Sequence, residues 1–158
     1  MRDTLSEHGG PPERPAMEGE PMRLDRDEAA RRLAHHDHGV LSTLHAERGI
    51  DAVPVVYALD DDHIGIPIDT VKPKLSTRLQ REANLDADPR ATLLVDMWDP
   101  VDWDRLWWVR VRLTRIFDSA REDRFADLLA NRYPQYRDKP FAHVMVFRIE
   151  SVTGWSAT

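Results

Sequence analysis

The sequence predicts a β-rich α+β domain, six antiparallel strands forming a small barrel with helices flanking it. Two patterns predict it. Short apolar runs rich in β-branched residues recur at period two and are separated by tight polar turns. The helical segments occur singly, each with its own capping signal, and do not alternate with strands as they would in parallel βαβ layers. No G-x-G-x-x-G and no Walker sequence is present, which removes the usual phosphate loops of those layers.

Each element has a local reason. Residues 1–21 hold four Pro, three Gly and five acids against two Arg, with little apolar content, and are expected to be a disordered tail. Met17 and Met22 are alternative starts to Met1. The folded domain then covers residues 22–158. Asp25, with Glu28 three residues on, opens a helix through about His36, and Gly39 closes it. Val40 to Ala46 reads as the first strand, turned by Glu47-Arg48-Gly49. Ala52 to Leu59 is the second, and its Pro54, lacking a donor N–H, belongs at an edge, a bulge or a ligand contact. After the turn Asp60-Asp61-Asp62, His63 to Ile68 places Ile64, Ile66 and Ile68 on one face.

Ser76 or Thr77, the latter with Gln80, caps a second helix that Asp88-Pro89 ends. Ala91 to Trp98 and Leu106 to Phe117 are strands four and five around a polar turn. Ser119 and Glu122 form a capping box for a third helix with Phe125, Leu128 and Leu129 on one face, stopped at Tyr133-Pro134. His143 to Glu150, continued to Trp155, is strand six.

Composition narrows the function. The 158 residues carry 22 Lys plus Arg against 28 Asp plus Glu, a net charge of −6 that argues against a nucleic-acid binder. The absence of Cys excludes disulfides, thiolate zinc sites and thiol nucleophiles. There is no membrane-spanning apolar run and no apolar signal segment at the N-terminus, so a cytoplasmic protein is expected.

The most informative stretch is Asp69 to Arg78. Two of the three Lys in the chain, Lys72 and Lys74, flank Pro73 there, just before the hydroxyls and free N–H groups of Ser76 and Thr77. Ammonium groups and a helix start converging on one spot suit a phosphate or carboxylate; the alternative is a solvated basic turn. Four of the five Trp fall in 98–108, and Trp107 and Trp108 must take opposite faces of a strand. One belongs to the core, and the other to a subunit interface or to the wall of a planar-ligand site. His35, His36 and His38 lack metal-ligand spacing, so no metal is expected. No Gly-x-Ser-x-Gly elbow supports a hydrolase.

The order of several motifs resembles the flavin and deazaflavin split-barrel superfamily, the fold of pyridoxamine 5′-phosphate oxidase, and within it the actinobacterial F420-dependent branch. The resemblance covers about residues 25–158. It rests on Val53-Pro54-Val55-Val56-Tyr57, Ile68 through Lys74, Asn84 through Arg90, Trp103 through Arg110, Arg132 through Tyr136, and Gly154-Trp155. It implies a homodimer with a cofactor in each intersubunit groove, F420 or alternatively FMN. The phosphate-bearing tail maps onto Lys72 and Lys74, the ring onto Pro54, Val55 and Ile68, and an approaching aromatic onto Trp107. The implied reaction is hydride transfer between the deazaflavin and an unsaturated small organic substrate. A cofactor-free ligand-binding dimer of the same fold is the alternative from another class. No catalytic acid or base follows from the sequence.

Overall fold

The computed structural model describes residues 22–71 and 79–158. Its strands are β1 (Met22–Arg23), β2 (His38–His45), β3 (Gly49–Val56), β4 (Ala58–Asp60), β5 (His63–Asp69), β6 (Arg90–Met97), β7 (Trp107–Ile116) and β8 (Phe141–Ser156). The helices are α1 (Arg26–His35), α2 (Gln80–Ala87) and α3 (Ser119–Arg132). All strand pairings are antiparallel, along the path β3-β2-β6-β7-β8-β5-β4, with β1 paired to β8.

The described residues thus form eight strands where the sequence reading expected six. One addition is β1, a two-residue pairing against Trp155 and Ser156. The other comes from the predicted second strand, which breaks at Tyr57 into β3 and β4. This break bends the sheet, because β3 and β4 are the two ends of the pairing path and a single residue joins them. The sheet must therefore curl until its ends meet.

Three termini also depart from expectation. Gly39 lies inside β2, because a Cβ there would come within 2.6 Å of the Leu94 carbonyl oxygen on β6; the position needs a close strand approach, and His36 ends the helix instead. The cap of α3 is Asp118, whose carboxylate accepts from Arg121 N at 3.1 Å. That leaves the Glu122 carboxylate to accept the Val144 N–H at 3.0 Å and tie the helix to β8. The caps predicted for α2, Ser76 and Thr77, lie outside the described residues. The described helix starts after Leu79, whose N–H donates to Glu82 at 3.0 Å, while Gln80 donates to Asn84.

The apolar residues divide into two clusters. The larger fills the inside of the curled sheet, with Leu41, Ile64, Ile66, Ile68, Leu93, Val95, Val109, Val111 and Phe147 under Leu33 of α1. The smaller, formed by Ala58, Phe125, Leu129, Tyr136, Val144 and Val146, lies where α3 covers the outer face of β5 and β8. Gly65 makes that second contact possible, since a Cβ there would lie 2.3 Å from the Phe125 ring. Gly65→Ala should therefore destabilise the fold by about 1–3 kcal/mol through overpacking. A lower urea midpoint with an unchanged slope would register the effect, and an unchanged midpoint would refute it.

Candidate functional site

The break at Tyr57 leaves an opening between β3 and β5, where those strands are not hydrogen-bonded to each other. A groove of about 250 Å³ occupies it, lined by His38, Pro54, Val55, Val56, Pro67, Asp69, Arg81 and Tyr136. Two hollows adjoin it. One runs past Val56 to Val71, Tyr133 and Gln135. The other, about 630 Å³, is bordered by His35, Asp37, His38, Arg132 and Tyr133.

The rim is held by polar contacts among elements distant in sequence. The Tyr57 side chain is fully buried, and its hydroxyl donates to the Leu33 carbonyl at the end of α1 at 2.5 Å. The Tyr133 hydroxyl lies between the carbonyl oxygens of Asp37 and Tyr57, which share its one hydrogen. Arg132 donates to the His36 carbonyl and lies over the Tyr57 ring at 5.6 Å. The corner between α1 and β2 is thereby fixed against the end of α3. On the opposite rim the Tyr136 hydroxyl donates to Asp69 at 2.8 Å, and the ring packs edge-on against Phe141.

Arg81 is the unusual member of the lining. Its Nε is buried and has no hydrogen-bond partner. Burial pulls its pKa below the ordinary value, opposed by the nearby charges of Glu82 and Asp69. A guanidinium nevertheless stays protonated at physiological pH. The groove therefore offers an apolar wall, formed by the two prolines and Val56, next to a cation with an unused donor. That combination fits a planar ring carrying an anionic tail.

The sequence-predicted residues are distributed as follows. Pro54 and Val55 line the groove, Pro54 exposed and Val55 directed into the main core. Ile68 lies with Ile64 and Ile66 inside the core, and its neighbour Pro67 lines the groove. Trp107 packs against the core, edge-on to His36 at 5.0 Å and under Arg32 at 5.1 Å. Trp108 takes the other face of β7 with Arg110 above its ring. Lys72, Pro73, Lys74, Ser76 and Thr77 lie outside the described residues; Val71 and Arg81, on either side of that segment, both border the groove system. Sequence reasoning missed Arg81, Asp69, Tyr136 and His38. The signal available for Arg81 was a cation in the first turn of a helix directly after the Lys-Pro-Lys stretch.

A family model for pyridoxamine 5′-phosphate oxidase matches residues 26–156. The chain belongs to that family. Solved structures show the same fold at low identity. An FAD-binding protein from Mesorhizobium loti is 19% identical with a TM-score of 0.61, covering 87% of this chain and 99% of its own. A conserved hypothetical protein from Mycobacterium tuberculosis gives a TM-score of 0.68 at 18% identity over 85% of this chain and 86% of its own. An FMN-binding protein from Syntrophomonas wolfei gives 0.57 at 18% identity over 78% and 80%. No curated protein sequence matches the chain. Among the described residues of this family member, no helix is long and apolar enough to cross a membrane, and no three His, Asp or Glu residues group as a metal site.

All three tyrosines of the chain stand at this groove or its joint, and each has its pKa raised above 10.0, burial being the main cause. The unfolded chain therefore releases phenolic protons first as pH rises. Stability is fully present below about pH 10 and declines above it. Absorbance at 295 nm should stay flat through pH 10 and then rise together with loss of the far-UV signal. Ordinary tyrosinate formation near pH 10 in the folded protein would contradict this burial.

Proposed function

We propose that this family member is an oxidoreductase that holds F420 in the groove beside Tyr57 and transfers a hydride between its ring and an unsaturated small organic substrate. The observation that carries the reading is the groove itself, with an apolar wall of Pro54, Val56 and Pro67 ending at the unpartnered Arg81 Nε. Bound there, the ring system would supply the hydride chemistry. The chain's own work is to exclude water along the proline wall, to meet the anionic tail with Arg81, and to keep the rim rigid through the Tyr136–Asp69 bond. Lys72 and Lys74 are proposed as further tail anchors. FMN is the second reading, favoured by the FMN-binding and FAD-binding descriptions of similar structures.

Titration of the protein with F420 and with FMN, following tryptophan fluorescence, tests both readings. Micromolar binding of F420 but not FMN supports the first, the converse supports the second, and failure of both leaves a cofactor-free binding protein. Arg81→Gln should weaken whichever cofactor binds by about 10- to 150-fold, the worth of about 1.5–3 kcal/mol for a hydrogen bond to a charged group. The pair Lys72→Ala with Lys74→Ala should weaken it similarly while leaving the urea midpoint unchanged. Equal losses of binding and stability would refute the anchoring role.

We further infer a homodimer built on the outer face of β3, β2, β6 and β7. Leu44, Ile50 and Leu94 are exposed there at 37%, 70% and 38%, beside Trp108, Arg110 and Arg112. Apolar residues and Trp surrounded by Arg are the composition of a self-complementary interface. Sedimentation velocity should show a dimer for the unaltered chain and a folded monomer for Leu94→Arg. A monomer in both cases would reject the interface.

A further inference from the structure

We propose that His38, oriented by Asp37, is the proton-transfer residue of this groove; the assignment rests on the reading of the groove as a hydride-transfer site. His38 is the first residue of β2 and pairs with Val56, the last residue of β3, so the register sets it at the lip of the opening. It borders both the 250 Å³ groove and the 630 Å³ hollow beyond it. Its Nδ1 lies 2.8 Å from Asp37 Oδ1. A carboxylate at that nitrogen accepts a hydrogen bond, which places the ring hydrogen of the neutral imidazole on Nδ1 and leaves the Nε2 lone pair free. No described residue bonds Nε2.

The arrangement has the logic of an oriented base, a carboxylate fixing the tautomer and position of an imidazole that borders the groove and whose far nitrogen makes no bond to a described residue. The same bond to His38 is the main cause holding the Asp37 carboxyl below its usual range, so that partner stays ionised. Asp37 itself is fixed from behind, because its carbonyl accepts from Tyr133. The dyad is anchored through the backbone, while His38 borders the groove and Asp37 the hollow beyond it.

The charged and titratable groups around His38 are few. His36 lies 5.9 Å away ring to ring, and His35, Asp37, Arg132 and Tyr133 share the outer hollow. Asp69, Arg81 and Tyr136 line the inner groove. Neither described acid can replace His38: Asp69 accepts from Tyr136 and from Val71 N, and Asp37 is directed to the imidazole. The three tyrosines are held protonated by burial.

The step balances simply. A bound flavin or deazaflavin in its reduced form would supply a hydride to one atom of a polarised double bond, the π electron pair moving to the neighbouring atom. That atom takes the proton from Nε2 of the imidazolium, which returns to neutral imidazole and regains a proton from water. The cofactor loses two electrons and the acceptor gains them.

Two measurements test the assignment separately from cofactor binding. Histidine side-chain ¹⁵N spectra of the cofactor-free protein should show neutral His38 as the Nδ1–H tautomer, reverting towards Nε2–H in Asp37→Asn. An Nε2–H tautomer in the unaltered protein overturns the proposal. In stopped flow, protein loaded with whichever cofactor binds and then reduced is mixed with menadione as a two-electron acceptor. His38→Gln should slow reoxidation by about 10²- to 10⁴-fold and flatten the dependence of that rate on pH. An unchanged rate and pH profile overturns the role of His38. Failure of every cofactor to bind removes the hydride-transfer reading instead, and the tautomer spectra still decide whether the dyad is built as described.

Discussion

The groove and its rim depend on one constraint, the passage of the chain through Tyr57 from one end of the sheet to the other. A sheet whose first and last strands are joined by a single residue cannot stay flat. β3 and β5, on either side of the joint, are not hydrogen-bonded to each other. The residue at the joint must bury a large ring and satisfy a hydroxyl at the same time. Tyr57 does so by donating to Leu33, and its own carbonyl accepts from Tyr133. An unmade buried hydrogen bond costs about 1–3 kcal/mol, so each of these contacts is a large part of a small domain's stability. The opening is thus a consequence of chain connectivity, made permanent by two tyrosine hydroxyls.

That joint also explains why the site takes residues from so many elements. Tyr133 follows α3 directly, so packing of Phe125 against Gly65 determines where its hydroxyl falls. Tyr133 in turn fixes the carbonyl of Asp37, and Arg132 fixes that of His36. The second core cluster is therefore more than a patch of stability under a helix. It transmits the position of β5 to the corner that carries His38.

Much of the fold was legible from period and capping alone, as with Ile64, Ile66 and Ile68, which the alternation places in the core where they are found. The same periodicity could not show that the run from 52 to 59 breaks at Tyr57, since the break is imposed by closure of the sheet and has no local signal. Ser119 and Asp118 are both good caps, and the choice between them turned on Glu122 having a tertiary partner in Val144. At the site, the apolar wall was readable from Pro54, while the Lys72-Pro73-Lys74 stretch lies outside the described residues. The resemblance placed Ile68 at the ring, although its own alternation with Ile64 and Ile66 directs it inward. Arg81 was hidden because helical Arg residues are commonly solvated, and only the packing shows that the Nε of this one is buried.

The economy of the fold supports reading the groove as a binding site. Among the described residues, most buried side-chain polar atoms find partners; Arg81 Nε and His63 Nδ1 are the two without a hydrogen bond, and His63 Nδ1 lies 2.6 Å from the Asp62 carboxylate. Asn84, 4% exposed, donates to both Thr43 and Asp51, and the buried Glu82 accepts from Leu79. Against that background a guanidinium nitrogen left without an acceptor is a cost of a kind that folding alone would remove, for instance with an apolar side chain of similar length. It sits at the edge of a preformed hollow whose opposite wall is proline and valine. A missing acceptor supplied from solution by an anionic ligand removes the cost at the moment of binding. The local imperfection and the hollow therefore have one explanation, and the same groove is bordered by the His38 imidazole, whose Nδ1 lies 2.8 Å from Asp37 Oδ1.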